Sequence, residues 1–451
     1  MLADVDLRRA LKVLEQAGEL VHVEHSLSPK YEIAAALKVL DRGPAALFKS
    51  VKGFSIKVVG GVCNSRNKLS LALGVSSYKL HDLLLEAIEK PTPPTEVEDA
   101  PVKDLEETSL YRLPALTHYE RDAGPYITAG VVIAKDLKEH YQNASIHRML
   151  VLDERTLVIR VVPRHLYHMM KRAERMGEPL PIAIVIGLHP AVLLAASSSP
   201  PLGVDELHVA NSLVGNKLKV TRCTHADILI PADAEILIEG FLYPNTLSDE
   251  GPFVDITGTY DVIRKQPVIK VSKIFMREDA IYQAILPASS EHRLLMGFHR
   301  EALIRKYVSQ VVPEVKDVKL SFGGCGWLHA IISIKKACEG DAKNAILAAF
   351  AAHPSLKHVI VVDEDINIDD INEVEWAIAT RFQADEDLLI IRHVRGSSID
   401  PSADQEQLIT AKMGIDATKP LNKPAHHFQK AAIPRLSEVK KILEALRIAP
   451  H

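Results

Sequence analysis

Cysteine is scarce in this chain of 451 residues, which contains only four. They are widely spaced, at Cys63, Cys223, Cys325 and Cys338. No Cys-x-x-Cys pair occurs, which argues against both a disulfide scaffold and a thiolate zinc site. We therefore expect a protein of the reducing cytoplasm.

An excess of positive charge is also lacking, since the formal net charge is −4. No basic field argues for a nucleic-acid partner. Long hydrophobic runs are absent too, because the most apolar stretch, residues 180–196, is interrupted by Gly187, His189 and Pro190. It is too short and broken to span a bilayer, and we interpret it as a buried strand, a turn and a helix. Residues 1–16 carry charges at helical spacing instead of the apolar core of a signal peptide, so no membrane insertion is expected.

The length exceeds that at which one hydrophobic core keeps growing, and the pattern of the sequence changes twice. Residues 1–112 predict an N-terminal α/β domain, which includes a proline-rich, acidic linker at 91–101. Residues 113–297 carry short Val- and Ile-rich runs, typical of a barrel or sandwich with inserted helices. Residues 298–451 alternate strands and helices, which predicts a layered α/β domain. The fold class is therefore mixed α/β (α+β).

The elements follow from apolar periodicity and from turn residues. The terminal helix, 437–447, has Ser437 as its expected N-cap and an apolar face that could dock on its own domain or on a neighbouring subunit. The other predicted helices are 6–17, 32–40, 165–176, 190–196, 298–311, 341–352 and 370–380. The predicted strands are 20–23, 46–49, 55–59, 127–135, 143–152, 157–162, 182–187, 217–221, 236–239, 268–275, 280–286, 316–320, 328–335, 358–363 and 387–392.

The hexapeptide Asn143-Ala-Ser-Ile-His-Arg148 places polar residues in an apolar strand. In a strand, Asn143, Ser145 and His147 face one side, and Arg148 faces the other. Asn143 can offer an oxygen to a hard cation, and Arg148 can hold a carboxylate through two hydrogen bonds. The alternative is an ordinary exposed edge strand.

Two further stretches offer ligands. Pro163-Arg164-His165 follows a strand and opens a helix, where an anion such as phosphate is favoured and His165 can bind a metal. Glu239 ends an apolar strand, where a carboxylate needs a partner or exposure. Asn, His and Glu together suit Mn²⁺ or Mg²⁺ better than zinc, although each residue alone is compatible with a structural role.

Acidic residues occur in three other places. Glu291 lies between a strand and the helix predicted after Gly297, where it could act as an acid or simply cap the helix. The loop 250–258 contains Glu250 and Asp255 and could be a site or a surface turn. Residues 363–374 resemble a calcium loop, but Ile368 and Val374 replace its required Gly and Glu. No Gly-x-Gly-x-x-Gly or P-loop motif occurs.

Together these motifs resemble the UbiD family of decarboxylases over nearly the full length. Besides residues 143–148, the resemblance is carried in the family's order by Leu7-Arg-Arg-Ala-Leu, Pro231-Ala-Asp-Ala-Glu-Ile-Leu-Ile-Glu-Gly240, Glu250-Gly-Pro-Phe, Asp363-Glu-Asp-Ile-Asn and Lys412-Met-Gly-Ile-Asp-Ala-Thr418. It implies an N-terminal α/β domain, a central split β-barrel that binds flavin, and a C-terminal α/β domain. It also implies a homo-oligomer, dimer or hexamer, to which the terminal helix contributes.

The resemblance further implies prenylated FMN, supplied by a flavin prenyltransferase, together with Mn²⁺ or Mg²⁺ and often K⁺. The implied metal ligands are Asn143, His165 and Glu239, and the implied catalytic acid is Glu291, accompanied by Arg148. The implied flavin contacts are Ser145, Ile146, His147, Arg148, Arg160, Val161, Val162, Arg164, His165 and Lys412, the last reaching the cofactor phosphate.

The chain departs from the family pattern at Val254, which replaces the second glycine of Gly-Pro-Phe-Gly. The second acid of the family's catalytic network is unassigned, with Glu250 and Asp255 as candidates.

The implied reaction is the reversible, non-oxidative decarboxylation of an α,β-unsaturated acid, with the flavin as electron sink and Glu291 as proton donor. The leading substrate is trans-anhydromevalonate 5-phosphate, an isoprenoid precursor. The alternatives are polyprenyl-4-hydroxybenzoate or another aromatic acid, a plain flavin reductase, and a non-enzymatic assembly or binding subunit with the same fold.

Overall fold

The computed structural model describes residues 5–445. Its first helix shows how local sequence determines an element. Asp6 caps the helix by accepting a hydrogen bond from the Arg9 N–H, and the chain leaves the helix through Gly18 at φ 72°. The N-terminal elements are α1 (Leu7–Gln16), β1 (Leu20–Val23), α2 (Glu32–Val39), β2 (Ala45–Phe48), β3 (Lys57–Gly60), α3 (Arg66–Leu73) and α4 (Leu80–Glu89).

The central region is mostly β, as the Val- and Ile-rich runs predict. Its elements are β4 (Thr95–Glu96), β5 (Leu105–Glu107), β6 (Tyr126–Lys135), β7 (Gln142–Asp153), β8 (Thr156–Ile159), α5 (His165–Met176), β9 (Leu180–Ile186), α6 (Pro190–Ser198), α7 (Glu206–Leu213), β10 (Lys219–Arg222), β11 (Leu229–Pro231), β12 (Ile236–Glu250), β13 (Phe253–Val254), β14 (Tyr260–Asp261), β15 (Arg264–Met276) and β16 (Ile281–Gln283).

Six of these strands close into an antiparallel barrel, which confirms the predicted barrel. They follow one another in the order β12, β9, β6, β7, β8 and β15, and the pairing of β15 with β12 closes the ring. Strand β6 is buried on both faces. Val131 packs outward into the core shared with the N-terminal helices, whereas Val132 packs into the other large core. The barrel is therefore covered by helices on this side.

The N-terminal sheet has the order β1, β2, β3 and β16. Its last strand, β16, follows all the barrel strands in the sequence, and Ile281 of β16 pairs with Lys57 of β3 in parallel register. The core of this region continues from Leu14 of α1 and Leu84 of α4 to Leu193 of α6. The N-terminal region and the barrel thus share one hydrophobic core.

The predicted linker, residues 91–101, is anchored to the barrel region. Strand β4 within it pairs with β10, and the Asn211 side chain donates hydrogen bonds to the carbonyl oxygens of Thr92 and Pro93. The segment connects two regions but is held in place along its length.

The C-terminal region is a mixed five-stranded sheet between helices, with the strand order β17, β18, β19, β21, β20. One hydrophobic cluster lies on each face of this sheet. Its elements are α8 (Ser290–Val308), β17 (Val315–Leu320), β18 (His329–Ile334), α9 (Asp341–Ala352), β19 (His358–Asp363), α10 (Ile371–Arg381), α11 (Ala384–Asp387), β20 (Leu388–Arg395), β21 (Ile409–Ala417) and α12 (Leu436–Ala445).

The start of α8 differs from the prediction. The helix begins at Ser290, where Ser289 caps it by accepting from the His292 N–H, and it continues through Gly297. A Cβ atom at position 297 would clash with the carbonyl oxygen of Gly326, so this glycine permits close packing and does not end a helix. Glu291 therefore lies in the first turn of α8 and not in a loop.

Other differences concern elements that were not predicted or that have other bounds. Helices α3, α4 and α7 and strand β21 were not predicted, and β12 extends from the predicted 236–239 to Glu250. Helix α12 begins at Leu436, so Ser437 is inside the helix and not its cap, while Leu446 and Arg447 lie outside the described residues. Within the described part of the chain, no helix is both long and apolar enough to cross a bilayer.

Candidate active site

Strand β7 presents its polar residues as the alternation of a strand predicts. Ser145 Oγ donates to Asn143 Oδ1 over 3.1 Å and lies 3.0 Å from His147 Nε2, so the three side chains share one face. His147 Nδ1 lies 2.9 Å from the Arg160 carbonyl oxygen. Burial lowers the pKa of His147 to about 4, so the ring is neutral at physiological pH.

A carboxylate that the sequence analysis did not identify meets this face. Glu206 Oε1 accepts from Asn143 Nδ2 over 2.7 Å, and Oε2 accepts from the Ala144 N–H over 2.7 Å. His165 Nδ1, at the start of α5, is 3.8 Å from Oε1. Glu206 is buried, and burial raises its pKa even though His165 and the Ala144 N–H bind the carboxylate. Asn143, His165 and Glu206 form a compact set of oxygen and nitrogen donors of the kind that binds Mn²⁺ or Mg²⁺.

The structure does not bring Glu239, the third predicted ligand, to Asn143 and His165. Its carboxylate accepts from the Thr224 N–H at 2.7 Å and from Thr224 Oγ1 at 2.5 Å, and it lies 3.2 Å from His225 Nδ1. Strand β12 is paired on both sides, with β9 and β15, and this register directs Glu239 toward the β10–β11 loop. Glu206, and not Glu239, is the carboxylate that lies beside Asn143 and His165.

Three cations from different elements lie around the buried His353 ring, and one of them directly precedes His165. They are Arg164 before α5, Arg300 on α8 and Lys412 on β21, and each acts electrostatically on the buried His353 ring. Burial lowers the pKa of Arg300 to about 10 and that of Lys412 to about 8. Within residues 5–445, none of the three cations forms an ion pair with a carboxylate. A cluster of cations without acids, of which Lys412 is buried, Arg300 half-buried and Arg164 exposed, is suited to an anionic ligand such as phosphate.

Each of these cations is oriented by neutral contacts. Arg164 Nη1 donates to Ser199 Oγ over 2.8 Å, and Lys412 Nζ donates to the Pro354 carbonyl oxygen over 2.6 Å. The Arg300 guanidinium lies 5.8 Å from the centre of the Trp327 ring. Burial, assisted by Arg300 and Arg164, lowers the pKa of His299 to about 3, so this neighbouring ring adds no charge.

The remaining predicted flavin contacts follow the same two segments. The Val161 N–H donates to Gln266 Oε1 over 2.9 Å, and Val162 is 39% exposed. Ile146 is half-buried against the core on the outer face of β7. Arg160 Nε lies 3.7 Å from Asp261 Oδ2. The predicted residues of β7 and of segment 160–165 therefore lie together, and Lys412 joins them from the C-terminal sheet.

Arg148 is bound to Glu250 and not to Glu291. Its Nε and Nη2 donate to the two Glu250 oxygens, each over 2.8 Å, and Nη2 also donates to Asp261 Oδ2 over 3.1 Å. Burial alone would lower the pKa of Arg148, but the hydrogen bonds with Glu250 and the charges of Glu250, Asp255 and Asp261 together raise it. The Tyr126 hydroxyl also donates to Glu250, over 3.3 Å. The predicted pairing of Arg148 with Glu291 is thus corrected.

Asp255 is the least engaged acid beside this pair. One of its oxygens accepts from the adjacent Ile256 N–H over 2.6 Å, and in the described chain no Lys, Arg or His side chain forms an ion pair with it. The Asp255 charge favours the charged form of Arg148. It also partly offsets the effect of burial on His292, whose pKa is lowered to about 4. Asp255 is half-buried and can reach both solvent and the Arg148 region.

Glu291 points to the N-terminal region. Its oxygens accept from the Gly61 N–H over 2.9 Å and from the Cys63 N–H over 2.7 Å, in the loop that follows β3. Burial raises the pKa of Glu291 to about 7, in the predicted direction, although the two N–H donors favour the charged form. Successive helix residues point about 100° apart, so Glu291 and its neighbour His292 face different partners.

Glu206, Arg300 and His292 escaped the sequence analysis because each depends on how elements pack. The local signal for Glu206 was Asp205-Glu206 after Pro-Pro-Leu-Gly-Val, an N-cap followed by a first-turn acid. No local pattern indicates that this helix end lies against β7. Arg300 and His292 would have required the correct start of α8.

Comparison with known proteins shows which family shares this arrangement. Three family models match the chain, and they are described as the N-terminal domain (residues 11–88), the Rift-related domain (93–290) and the C-terminal domain (293–417) of 3-octaprenyl-4-hydroxybenzoate carboxy-lyase, UbiD. Together they cover most of the sequence.

Curated relatives are similar over nearly their whole length. A protein of Methanothermobacter thermautotrophicus named anhydromevalonate phosphate decarboxylase is 47% identical over 420 residues, which are 93% of this chain and 98% of the relative. A protein of the same name from Methanocaldococcus jannaschii is 47% identical over 410 residues, 90% of this chain and 95% of the relative.

Solved structures agree. The UbiD-class enzyme HmfF from Pelotomaculum thermopropionicum, in complex with FMN, superposes with a TM-score of 0.94 at 43% identity, covering 97% of this chain and 99% of that one. The apo 3,4-dihydroxybenzoic acid decarboxylase of Klebsiella pneumoniae superposes with a TM-score of 0.90 at 29% identity, with 97% and 99% coverage. The chain belongs to the UbiD family of carboxy-lyases.

Proposed function

We propose that the protein catalyses the reversible, non-oxidative decarboxylation of an α,β-unsaturated acid, with trans-anhydromevalonate 5-phosphate as the leading substrate. The observation that carries this proposal is the group of three cations around His353, Arg164, Arg300 and Lys412, which have no carboxylate partner in residues 5–445. Arg164 directly precedes His165, which belongs to the donor set of Asn143, His165 and Glu206. Phosphate groups and a divalent cation are the ligands that such a pair of clusters fits. The names of the curated relatives point to the same substrate.

The residues present fit both a flavin phosphate and a divalent cation. Asn143, His165 and Glu206 would hold Mn²⁺ or Mg²⁺, which would balance the buried Glu206 charge. Arg164 and Lys412 would hold the cofactor phosphate, and Ser145 and the segment 160–165 would lie along the flavin. When bound, prenylated FMN supplies the electron sink that loss of CO₂ from an sp² carbon requires.

The chain's own side chains would position and protonate the substrate. Arg148, held by two hydrogen bonds to Glu250, would orient the substrate carboxylate. Asp255 would exchange the proton with the substrate carbon, because it is the acid of this region that no basic side chain engages. Glu291, the acid expected from sequence, is the competing donor.

The three cations also support a phosphorylated substrate. A single cofactor phosphate carries about two negative charges, whereas Arg164, Arg300 and Lys412 offer three positive charges without any paired carboxylate in residues 5–445. Arg300, on α8 beside Trp327, would be free to bind the phosphate of the substrate.

The substrate assignment is tested with protein produced together with a flavin prenyltransferase and loaded with Mn²⁺. We expect CO₂ release from trans-anhydromevalonate 5-phosphate and none from polyprenyl-4-hydroxybenzoate. Protein produced without the prenyltransferase should be inactive. Loaded enzyme that turns over only the aromatic acid, or that oxidises NAD(P)H with unmodified FMN, would contradict the proposal. A protein without chromophore or metal would favour the assembly or binding subunit.

The proton donor is tested by comparing two variants. In Asp255→Asn we expect decarboxylation to fall by at least about a hundredfold while the flavin stays bound, since general acid catalysis contributes about that factor or more. In Glu291→Gln we expect kcat to stay within about tenfold of the parent. The reverse pattern would return the role to Glu291.

The proposal includes a homo-oligomer, dimer or hexamer. Helix α12 presents the apolar side chains Val439 and Ile442, which are 48% and 57% exposed, and such a surface is suited to a subunit contact. Light scattering of the full chain should give a dimer or a hexamer, whereas a monomer at micromolar concentration would contradict this.

A further inference from the structure

A second group of metal-binding side chains lies where β10, the following loop and β12 meet. Cys223 and His225 belong to the β10–β11 loop, and Glu239 lies on β12. One ligand atom from each residue falls within 4.8 Å of the others. Cys223 is 8% exposed, Glu239 is fully buried, and the His225 side chain is 10% exposed. None of the contacts of these three side chains involves Asn143, His165 or Glu206.

The His225 ring is oriented as a metal-binding imidazole. Its Nε2 lies 3.1 Å from the Gly240 carbonyl oxygen, to which only an N–H can donate, so Nδ1 is left with its lone pair in the neutral ring. A backbone carbonyl is a usual partner for the second nitrogen of a metal-binding histidine. The edge of the ring also contacts Phe241, with the ring centres 5.2 Å apart.

The Nδ1 atom of His225 faces an acceptor instead of a donor. It is 3.2 Å from Glu239 Oε2, yet it is buried without a hydrogen-bond partner of suitable geometry. Two acceptors at this distance repel each other unless a proton or a cation lies between them. The Glu239 carboxylate is held in place by Thr224, whose N–H donates to Oε1 and whose hydroxyl donates to Oε2. It is therefore oriented toward Nδ1 and toward the Cys223 thiol.

The charges favour a divalent cation over a proton. A thiolate and a carboxylate together balance a charge of plus two, so the occupied cluster would be neutral, as a buried site requires.

We propose that Cys223, His225 and Glu239 form a zinc site that ties the β10–β11 loop to the barrel strand β12. One sulfur, one imidazole nitrogen and one carboxylate are a donor set that Zn²⁺ accepts, with a fourth position left for water. Binding forms the Zn–S bond as the thiol proton leaves to solvent. Thr224 is exposed above the cluster, which gives the ion a path of entry. The spacing of the cysteines argued against a thiolate zinc site, but this cluster needs only one thiolate.

The test uses holoenzyme in excess Mn²⁺, so that the flavin-phosphate metal position is occupied, dialysed against limiting Zn²⁺ under anaerobic conditions. X-ray absorption at the zinc edge should show one sulfur neighbour at about 2.3 Å together with nitrogen and oxygen neighbours. This measurement on the parent protein does not depend on the folding of any variant. Zinc surrounded only by nitrogen and oxygen, or no zinc retained, would overturn the proposal.

The matched variants are Cys223→Ser and Cys338→Ser. We expect Cys223→Ser to lose the sulfur neighbour and Cys338→Ser, which alters an exposed cysteine elsewhere, to keep it. Glu239→Gln should weaken zinc binding by at least about tenfold, because a single ligand or its direct support contributes at least that much. Retention of the sulfur neighbour in Cys223→Ser would assign the zinc to another cysteine and overturn the proposal.

Discussion

Glu206 joins three parts of the chain through one carboxylate. It lies at the start of α7, binds the side chain of Asn143 and the backbone of Ala144 on β7, and approaches His165 at the start of α5. Burying a carboxylate costs free energy unless a cation compensates its negative charge. A bound divalent cation would provide this compensation.

Replacing Glu206 with Gln should therefore weaken Mn²⁺ binding by at least about tenfold and lower the flavin content of purified protein, since the ligand loses its charge. Metal analysis and absorbance of protein produced with the prenyltransferase measure both. Glu178→Gln, on an exposed turn, is the matched control and should behave as the parent. If Glu239→Gln released Mn²⁺ and Glu206→Gln did not, the ligand expected from the sequence would be correct after all.

Glu291 makes stability depend on pH. Its pKa in the folded protein is about 7, above the ordinary value of 4.5, because it is buried. The folded state thus holds this proton more tightly than the unfolded state does. Its contribution is fully present below the ordinary pKa and is lost as the pH rises toward 7, a loss of roughly 3 kcal/mol.

We expect Glu291→Gln to be less stable than the parent at about pH 5, because Gln cannot accept from both the Gly61 and Cys63 N–H groups. Between about pH 5 and pH 8 the variant should lose less stability than the parent does. Denaturant midpoints of both proteins at the two pH values measure this. Comparison with the parent isolates Glu291 from other titrating groups. Parallel pH profiles would contradict it.

At the scale of elements, the bounds of helices and strands were predicted correctly where apolar periodicity ended at clear turn signals. They were wrong where a residue only resembled a turn signal. Helices α5 and α9 and strand β19 have the predicted bounds, because their apolar residues recur at one period between clear turn signals. Helix α8 started eight residues earlier than predicted, at Ser290, because Gly297 looked like a stop signal. The candidate site shows the same limit: its residues on β7 and at the start of α5 were predicted from the sequence, but Glu206 on α7 and Arg300 on α8 were not.

Gly297 leads to a prediction about this helix. Alanine favours a helix by about 1 kcal/mol over glycine, yet its Cβ would clash with the backbone at Gly326, which cannot move aside as a side chain can. We expect Gly297→Ala to lower the free energy of unfolding by about 1–3 kcal/mol. Gly323→Ala, where the added Cβ meets open space, should change it by no more than about 0.5 kcal/mol. Chemical denaturation of the two variants measures both free energies of unfolding. A Gly297→Ala variant more stable than the parent would show that the backbone at Gly326 can shift to accommodate the added Cβ.

At the scale of the whole molecule, Arg66 connects the N-terminal region to the C-terminal one. Its guanidinium donates to Glu301 on α8 over 2.8 Å, to Asp317 on β17 over 3.2 Å and to the Val318 carbonyl oxygen over 2.8 Å. Burial raises the pKa of Glu301, but Arg66, His81 and the Leu320 N–H together outweigh burial, and the net shift is downward. The buried acid therefore depends on a cation from another region.

Arg66→Ala should destabilise the protein by about 3–5 kcal/mol, because it leaves Glu301 buried without its main partner. The matched control is Arg305→Ala, whose partner Asp82 also lies across the boundary between α8 and the N-terminal region but has a side chain that is 66% exposed. Its loss should cost no more than about 1 kcal/mol. Thermal unfolding followed by circular dichroism compares the two, and equal effects would contradict the role of burial.

The pairing of Ile281 with Lys57 has a consequence for the order in which the protein can be made. During synthesis the ribosome releases β3 long before β16, so the N-terminal sheet must wait, with one edge unpaired, until the whole barrel has emerged. A fragment that stops at residue 112 would keep that edge open permanently. The nascent chain thus exposes this unpaired strand edge until Gln283 has been made, and in that interval the edge can pair with strands of other chains.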